Sequence, residues 1–276
     1  MKVKQPIVGK NVSAVVPVHN EEETLDQCLV SVRGQRVAEI IIILDRCEDD
    51  SEEIAKRHAK VDSRISIFPL GRHKFETNFV AETVNFGFSK ASNDVILLAE
   101  ADTVLDHNYV SALLPYLEGP LVSVAGRYVP LHKRQLHFLE TITGTGRLLL
   151  REVWKEVGGF HDILACDTFF DLELMKRGYR TKVVDGVIVY DLRNYSMKQF
   201  AVRAIRRGKG RRQNAQSLFF TVGHGLYYLT RTPLGIVELL GNVAGFLTVN
   251  RRVSRENMRR YEVKRIREVF QKLTWL

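Results

Sequence analysis

Residues 12–45, VSAVVPVHNEEETLDQCLVSVRGQRVAEIIIILD, contain two apolar runs on either side of a stretch with helical character. VSAVVPV (12–18) and EIIIIL (39–44) are short and rich in β-branched residues, which is typical of buried strands. The stretch 22–33 between them opens with acidic residues, which a helix dipole favours in the first turn. Because a helix joins the two strands, the segment predicts a strand-helix-strand unit with parallel strands.

The same alternation extends to residue 99. RISIFPL (64–70) and DVILLA (94–99) have the composition of strands, and helical stretches lie at 50–60 and 76–91. Repeated units of this kind predict an α/β sheet with right-handed crossovers. Ligands of such sheets bind beyond the carboxyl ends of the strands, so the residues that follow each strand are the first candidates for a site.

The regular alternation lapses after about residue 122. VSVAGRYVP (122–130) and TKVVDGVIVY (181–190) are predicted strands, the second of which closes the sheet. Between them, 147–157 and 167–177 are predicted helices.

The C-terminal part of the chain differs in composition from the rest. Residues 196–230 and 234–272 read as helices with basic and apolar blocks and no strand signal. From Arg193 onward, 18 Lys and Arg face four acids, a net charge of +14, which leaves −5 for the preceding residues out of the total of +9. We therefore divide the chain into an α/β domain, 1–195, and a basic helical region, 196–276.

Length and composition exclude several classes of protein. With 276 residues and 45% hydrophobic content, the chain can bury a substantial core. Three cysteines without zinc-type or CxxC spacing are expected to be reduced thiols in a cytoplasmic protein, and the N-terminus lacks the apolar region of a signal peptide. No His-x-x-x-His, Walker A, Gly-x-Ser-x-Gly or Gly-x-Gly-x-x-Gly motif occurs, which argues against zinc, NTPase, hydrolase and dinucleotide chemistry.

Two carboxylates, Glu100 and Asp102, follow the fourth predicted strand with only Ala101 between them. One residue apart on an extended backbone, they share a face and can address a single cation. Hard oxygen ligands of this kind suit Mg²⁺ or Mn²⁺. A pair of acids after a strand also serves as a cap for the next helix, so spacing alone leaves both interpretations open.

The turn after the first strand, VVPVHNEEETL (15–25), carries a second motif. In it the chain resembles the family 2 glycosyltransferases with the GT-A fold, whose first strand typically ends Pro-x-x-Asn-Glu before a helix with a Leu and a Ser-x-x-x-Gln. The helix residues that fit are Leu29, Ser31 and Gln35. The resemblance covers roughly residues 12–192. It implies a GT-A fold, the Rossmann-like fold of nucleotide-diphospho-sugar transferases, with a mixed sheet and here a C-terminal helical extension.

The resemblance implies roles for the donor-side residues. Asp45, which ends the second strand in IIIILDRCEDDS (40–51), would face the nucleoside of the donor, although a turn-forming Asp is the plain alternative. Asn85, Gly87 and Ala91 match the family's helix before the metal-binding strand. Glu100-Ala101-Asp102 stands in place of the family's Asp-x-Asp, which makes Asp102 the direct metal ligand.

The acceptor side is implied by GRLLLREVWKEVGGFHDILACDTFFDLELMKRGY (146–179). The family has a Gly-Gly-Phe turn here, followed by an acidic pair that opens a helix. The turn is Gly158–Phe160, and Asp167 holds the place of the second acid while Cys166 replaces the first. Asp167 is therefore the predicted general base, Asp171 is a further candidate one turn on, and an N-terminal cap is the alternative role of Asp167.

Together the motifs predict a metal-dependent, inverting glycosyltransferase that uses a nucleotide-sugar donor and a glycan or lipid-linked acceptor. Asp191 stands where relatives place a metal-ligating His, so an Asp ligand and a surface-loop Asp are both open. A nucleotidyltransferase and a non-enzymatic nucleotide-binding module are the rival hypotheses. The predicted donor-binding residues are Pro17, His19, Glu21, Asp45 and Asp102, and the predicted ligands of Mg²⁺ or Mn²⁺ are Asp102, Glu100 and Asp191.

The basic run 193–215 fits a nucleic-acid patch, a clamp on the donor's pyrophosphate, or a helix on a membrane surface. No aromatic residues interleave with the arginines of 203–212, which argues against nucleic acid. The apolar stretch 233–249 is shorter than a membrane span and contains Glu238. We expect these helices to pack on the α/β domain, to contact the cytoplasmic face of a membrane peripherally, or to form a homodimer. The last amphipathic stretch contributes Ile266, Val269, Phe270 and Leu273.

Overall fold

The structure is a computed structural model that describes residues 11–131, 144–229, 234–251, 258–259 and 262–263. By their internal contacts the residues fall into two compact units. The first contains the chain up to His161 together with Arg177–Asn194, and the second contains Asp162–Lys176 and the chain from Tyr195 onward. The second unit thus begins next to the predicted boundary at 195 but also includes the segment around Asp167, which the sequence places in the α/β domain.

The first unit contains all of the strands found in the described residues. They are β1 (Val12–Val18), β2 (Glu39–Asp45), β3 (Ile65–Leu70), β4 (Val95–Leu98), β5 (Thr103–Leu105), β6 (Leu121–Pro130), β7 (Arg147–Leu150) and β8 (Arg180–Asp191). The helices of this unit are α1 (Leu25–Arg33), α2 (Ser51–Val61), α3 (Phe79–Lys90), α4 (Tyr109–Leu113), which runs into a 3₁₀ turn at Leu114–Tyr116, and α5 (Arg151–Val157). The four strands and three helices predicted before residue 100 are therefore present.

Within the described part of the chain, these strands form one sheet in the order β3-β2-β1-β4-β7-β6-β8-β5. β3, β2, β1 and β4 are parallel neighbours. β7 runs antiparallel to β4 and β6, β8 is parallel to β6, and β5 is antiparallel to β8. This arrangement confirms the predicted mixed α/β sheet. It also places β1 between β2 and β4, so the three motif-bearing strand ends are adjacent.

Glycine 87 allows α3 to lie close against the sheet. A Cβ atom at this position would overlap Cγ1 of Val15 in β1 and would lie 3.1 Å from Cγ1 of Ile43 in β2. The glycine of the predicted Asn-x-Gly motif thus has a packing reason, because any side chain here would push the helix off the two central strands.

Three predicted helices are wrong in part. One of them, 234–272, begins as a helix that ends at Leu247, and residues 248–251 are not helical. The stretch 147–157 begins as strand β7, whose four residues are buried and pair with β4 and β6, and only then continues as α5. A short apolar run in this context reads equally as strand or helix. The predicted helix 196–230 is two helices, because Ala215 adopts φ +59° and ends the first of them.

The second unit is helical in its described residues. Its helices are α6 (Cys166–Lys176), α7 (Met197–Gln213), α8 (Leu218–Leu229) and α9 (Gly235–Leu247). A capping box between Ser196 and Gln199 begins α7, and α9 packs against α7 and α8. The predicted amphipathic face from Ile266 to Leu273 lies outside the described residues.

A charged network fills the contact between α7 and α9. Glu238 is fully buried, and its carboxylate pairs with both Nε (2.8 Å) and Nη2 of Arg207. The amide of Asn242 donates to Oε1 of Glu238 at 2.7 Å and accepts from Nε of Arg211 at 3.0 Å. A buried charge is tolerated only when paired in this way, so the predicted cost of Glu238 in an apolar helix is offset inside the unit.

Tyr109 stabilises the fold through two hydrogen bonds between its buried hydroxyl and backbone groups, and this contribution can be tested. Its side chain is fully buried, and its hydroxyl donates to the carbonyl of Gly146 (2.7 Å) and accepts from the N–H of Gly126 (2.6 Å). We predict that Tyr109→Phe lowers the free energy of unfolding by about 1–3 kcal/mol, because two buried backbone groups lose their partner. Urea unfolding followed by circular dichroism measures the change. Tyr116→Phe, at a position 37% exposed, is the control, and equal stability of the two variants would contradict the prediction.

Candidate active site

The predicted donor-side residues lie at one edge of the first unit. β2, β1 and β4 are parallel neighbours, so their carboxyl ends meet at the same edge of the sheet. Residues His19 and Glu21 follow β1, Asp45 is the last residue of β2, and Glu100 and Asp102 follow β4. Side chains that are far apart in sequence are thereby collected in one place.

Pro17 and His19 mark the end of β1. Pro17 is opposite Ile43 of β2 in the register of the sheet and is half-buried. His19 is exposed, and its Nδ1 lies 2.6 Å from the backbone carbonyl oxygen of Asp45. This contact ties the end of β1 to the end of β2 beside the Asp45 carboxylate.

A guanidinium group joins two of the predicted acids. Nε of Arg193 lies 2.8 Å from Oδ2 of Asp102, and Nη2 of the same arginine pairs with Oε1 of Glu21. The two acid side chains are only 10% and 14% exposed. Burial raises the pKa of Glu21, the positive charge of Arg193 opposes that rise, and the charge of Asp102 adds to it. The two carboxylates are therefore close enough to act on one cation.

Asp191 holds the backbone that carries Arg193. It is buried at the end of β8, and its Oδ1 accepts a hydrogen bond from the N–H of Arg193 (2.9 Å) while its Oδ2 accepts from the hydroxyl of Tyr128. The next residue, Leu192, donates its N–H to the carbonyl oxygen of Asp102 at 2.9 Å. Asp191 thus has a clear positioning role, and its role as a metal ligand stays a prediction.

Glu100 begins the turn between β4 and β5. Its N–H donates to Oγ1 of Thr145 at 3.2 Å, and its carbonyl oxygen accepts from the N–H (3.1 Å) and the hydroxyl (2.8 Å) of Thr103. These bonds fix the turn that presents both Glu100 and Asp102. The Glu100 side chain is half-buried, and its participation in metal binding stays a prediction.

The carboxylate of Asp45 is held by three side chains. Nε2 of His73 lies 2.7 Å from Oδ1, Nε of Arg46 lies 3.0 Å from the same oxygen, and the hydroxyl of Thr83 donates to Oδ2 at 3.2 Å. Asp45 is 5% exposed. The sequence motifs single out Asp45 but none of its partners, which come from the following residue, a loop and α3.

An aromatic ring lies beside this cluster. His73 stacks on Phe79 with ring centroids 4.7 Å apart, and the guanidinium of Arg46 lies 5.3 Å from the centroid of the same ring. Phe79 remains 41% exposed. A buried carboxylate next to a partly exposed aromatic ring provides both hydrogen bonding and apolar contact, which are the two interactions that a nucleoside uses.

Glu82 anchors the loop that delivers His73. Its carboxylate accepts from the N–H groups of Lys74 (2.7 and 2.8 Å) and Phe75 (2.7 Å), and Nδ1 of His73 lies 3.2 Å from its Oε2. Burial acts to raise the pKa of Glu82, but the hydrogen bonds from Phe75, Lys74 and His73 outweigh it, so the pKa is lowered. The ionised carboxylate therefore organises this side of the site.

Asn85 connects the helix before β4 to the Gly-Gly-Phe turn. Its Oδ1 accepts from the N–H of Phe160 (2.9 Å) and from Nε1 of Trp154 (3.1 Å), and its Nδ2 donates to the carbonyl oxygen of Phe160 (2.7 Å). Gly159 has φ +79°, and a Cβ there would lie 2.7 Å from Oδ1 of Asn85. The Asn-x-Gly motif and the Gly-Gly-Phe turn, which are separate in the sequence, are thus joined by direct hydrogen bonds.

Asp167 lies in the second unit, in the first turn of α6, and is partly exposed. The residues just before the helix are fixed to the end of α7: the N–H of Leu164 donates to Oε1 of Gln213 (2.8 Å), and Nδ2 of Asn214 donates to the carbonyl oxygen of Leu164 (2.9 Å). Asp167 therefore begins a helix whose start is anchored within its own unit. Its role as the general base stays a prediction.

Comparison with known proteins identifies the family. The family model described as glycosyl transferase family 2 matches residues 13–158, and that described as glycosyl transferase family 21 matches residues 131–229. The first match covers more than half of the chain and contains the carboxyl ends of β1, β2 and β4. The chain belongs to glycosyl transferase family 2.

Curated relatives of this family 2 member are distant in sequence. Glycosyltransferase GlyA of Streptococcus pneumoniae is 22% identical over 200 residues, which are 71% of this chain and 24% of GlyA. The undecaprenyl-phosphate 4-deoxy-4-formamido-L-arabinose transferase of Pectobacterium atrosepticum is 24% identical over 247 residues, which are 86% of this chain and 74% of the relative. The chain thus spans about a quarter of the length of GlyA.

Solved structures show the same fold at low identity. The mannosyltransferase PcManGT of Pyrobaculum calidifontis, in complex with GDP-Man and Mn²⁺, has a TM-score of 0.62 at 15% identity and covers 90% of this chain and 73% of its own. S. aureus TarS 1-349, in complex with UDP-GlcNAc, has a TM-score of 0.59 at 13% identity and covers 72% and 64%. These likenesses confirm the GT-A fold of the family 2 chain.

The acids that follow β1 and β4 in this family 2 chain fit the divalent cation that the resemblance implies. Among the residues that the structure describes, no group of three or more His, Cys, Asp or Glu side chains is arranged to hold a metal. Mg²⁺ in phosphate-binding sites is commonly held by one or two carboxylates, with phosphate oxygens and water as the other ligands. Asp102 and Glu21 are two such carboxylates, so the donor set fits Mg²⁺ or Mn²⁺ bound together with a diphosphate.

The lowered pKa of Glu82 gives a prediction for stability against pH. Since the folded protein favours the ionised form, the stabilisation by Glu82 is complete above the ordinary pKa of a glutamate and is lost as the pH falls through the lower folded value. We predict that Glu82→Gln costs about 1–3 kcal/mol of unfolding free energy at pH 7 and progressively less at acidic pH. Urea unfolding at a series of pH values measures this difference.

Glu53→Gln is the matched control, because the Glu53 side chain is 71% exposed. It should change stability little at any pH. A cost of Glu82→Gln that stays constant down to the acid limit of the folded protein would show that the carboxylate charge is not what holds the loop.

Proposed function

We propose that the protein is a metal-dependent, inverting glycosyltransferase that moves a sugar from a nucleotide-sugar donor to an acceptor hydroxyl. The observation that carries this proposal is the convergence of Asp45, Glu21 and Asp102 at the carboxyl ends of three adjacent parallel strands. Membership of family 2 and the GT-A fold support the reaction class. PcManGT is in complex with GDP-Man and Mn²⁺ and TarS 1-349 with UDP-GlcNAc, which supports a nucleotide-sugar donor for this chain.

In this proposal the two ends of the donor meet different surroundings. The nucleoside binds beside Asp45 and Phe79, where His73 and Thr83 already fix the carboxylate and so reduce the reorganisation that binding requires. The diphosphate lies beside Asp102 and Glu21. When bound there, Mg²⁺ or Mn²⁺ neutralises the charge that develops on the departing nucleoside diphosphate.

Asp167 is proposed as the general base that accepts the proton of the acceptor hydroxyl. A carboxylate in this role contributes about 10²–10⁴-fold to the rate. The first turn of α6 provides a fixed backbone for it, because the preceding residues are held by Gln213 and Asn214. The Gly158–Phe160 turn, locked by Asn85, is proposed to shape the acceptor side of the first unit.

A panel of sugar nucleotides and nucleoside diphosphates, each with Mn²⁺ or Mg²⁺, tests the proposal. We expect one nucleoside diphosphate to raise the melting temperature only when metal is present, and Asp102→Asn to remove that metal-dependent part. Asp167→Asn should keep this binding and lower the transfer rate by about 10²–10⁴-fold, whereas Asp171→Asn should not. Asp185→Asn, at an exposed position of β8, is the charge-matched control.

The outcomes separate the rival functions. Ligand stabilisation that ignores metal and survives Asp102→Asn would contradict the metal site. Release of pyrophosphate with synthesis of a nucleotide sugar would identify a nucleotidyltransferase instead. Steeply salt-dependent RNA binding without any turnover would favour a binding module.

We further propose that the second unit contacts a membrane surface, which favours a lipid-linked acceptor over a free glycan. α8 contains no charged residue, and its large exposed side chains are Leu218, Phe219, Leu226 and Leu229. The exposed stripe of α9 has Ile236, Leu240 and Leu247, while its charged residue, Glu238, is buried against Arg207. In α9 the charged residue is therefore buried while large apolar side chains are exposed, and α8 adds further exposed apolar side chains.

The occupant proposed for this apolar face is an anionic lipid surface. Exposed cations of the same unit include Lys198, Arg206, Arg251 and Arg259, which complement acidic headgroups. No helix of the described residues is long and apolar enough to cross a bilayer. An apolar stripe combined with positive charge is the pattern of helices that lie in the membrane interface. The name of the Pectobacterium relative records undecaprenyl phosphate, a lipid, which supports a lipid-linked acceptor.

Flotation with vesicles of phosphatidylglycerol and phosphatidylcholine tests the membrane contact. We predict that Leu226→Ser combined with Leu240→Ser lowers the fraction bound to anionic vesicles by about tenfold or more, because two apolar side chains no longer enter the interface. Val30→Ser with Val61→Ser, at exposed positions of the first unit, is the control. Equal binding of both double variants would contradict the proposal, and a concentration-dependent dimer abolished by the serine substitutions in α8 and α9 would identify a second copy as the occupant.

A further inference from the structure

Arg193 contacts the two acids that are proposed to hold the divalent cation. Its guanidinium lies between Oδ2 of Asp102 and Oε1 of Glu21, the oxygens of two acids that come from different strand ends. The arginine side chain is 36% exposed, whereas both acids are largely buried. The guanidinium therefore lies on the more exposed side of the contact, and the two carboxylates lie on the buried side.

The backbone of Arg193 is fixed while its side chain is long. The N–H of Arg193 donates to Asp191, Tyr128 holds the other oxygen of that aspartate, and Leu192 donates to the carbonyl oxygen of Asp102. These bonds place the Cα atom of Arg193 beside the acids independently of its guanidinium. The side chain can then leave the carboxylates by rotation about its own bonds, without a change of fold.

Charge and space prevent the guanidinium and a divalent ion from being bound at the same two oxygens. One guanidinium neutralises only one of the two negative charges, whereas Mg²⁺ or Mn²⁺ neutralises both. If both cations were present within a few ångströms, their repulsion in a partly buried site would cost more than the second contact supplies. One of them must leave when the other binds.

We propose that Arg193 is a resident counter-ion that competes with the divalent cation for Asp102 and Glu21. This inference rests on the proposed function, because it assumes that the metal binds at these acids. It has a consequence for the order of binding. The metal ion alone binds weakly to the protein. It binds tightly only together with a diphosphate, whose oxygens supply the contacts needed to displace the arginine. Arg193 is thus a positioning residue that couples metal binding to donor binding.

Electron paramagnetic resonance of Mn²⁺ tests the competition without any turnover. The full chain is titrated with Mn²⁺ alone, and free Mn²⁺ is measured for the wild type, Arg193→Met, Arg193→Gln and Arg193→Lys. We expect both neutral variants to bind Mn²⁺ at least about fivefold more tightly than the wild type, because the competitor is gone. Arg193→Lys, which keeps the charge but loses the two-pronged contact, should lie between them and the wild type.

Arg33→Met is the matched control. Arg33 pairs with Asp62 through Nε at 3.3 Å, belongs to the same unit and is 29% exposed, so its removal deletes an equal charge from a comparable ion pair. It should leave Mn²⁺ affinity unchanged. Two neutral variants of Arg193 are included so that the failure of one to fold does not decide the result.

A second titration contains a saturating nucleoside diphosphate from the panel, and equilibrium dialysis against the same nucleotide concentration measures the excess Mn²⁺ on the protein side. It separates this inference from the proposed function. If the wild type binds Mn²⁺ with the diphosphate and Asp102→Asn does not, the metal site stands. If the neutral Arg193 variants nonetheless bind Mn²⁺ alone no more tightly than the wild type or Arg33→Met, the proposed competition is overturned and the proposed function is left intact. An absence of Mn²⁺ binding in every protein, with and without the diphosphate, overturns both.

Discussion

The ion pairs of Arg193 with Asp102 and Glu21 hold together the edge of the sheet at which β1 and β4 end. Parallel strands bring their carboxyl ends together, so the turns after β1 and β4 place two acids side by side. Burial and the nearby charge of Asp102 both raise the pKa of Glu21, and the charge of Arg193 opposes that rise. A cation at this point is therefore a requirement of the fold itself, and the chain provides one from the end of β8.

The proposed nucleoside end of the site is built on the opposite principle. Asp45 is equally buried, but His73, Arg46 and Thr83 contact its two oxygens, and Glu82 fixes the loop that carries His73. Such a network is rigid because every member is held by another. The contact at Asp102 depends on one long side chain. In the proposed function, a fixed end suits recognition of a base, and an exchangeable end suits a cation that arrives and leaves with the diphosphate.

Sequence patterns predicted the parts of this arrangement that are local. The β-branched runs of β1 to β4 and the residues that end them are read directly, because strand signals and strand ends are contiguous in the chain. β7 was missed because RLLL continues into a helical pattern, and its strand form depends on pairing with β4 and β6. Arg193 was assigned only to the basic run, because its partner Glu21 is 172 residues away and no local pattern reports that contact.

The packing of α7 against α9 places a charged pair, Arg207 and Glu238, in the contact between the two helices. α7 and α9 approach so closely at Gly208 and Gly245 that a Cβ atom at either glycine would overlap backbone of the facing helix. This close contact keeps Glu238 fully buried against Arg207, and Asn242 satisfies the carboxylate further, so desolvation of its charge is compensated by good geometry. The interior also holds Tyr228 and Phe246, while other large apolar side chains of α8 and α9, among them Phe219 and Leu240, are exposed. In water the exposure of these apolar side chains has a cost, which an apolar environment would remove.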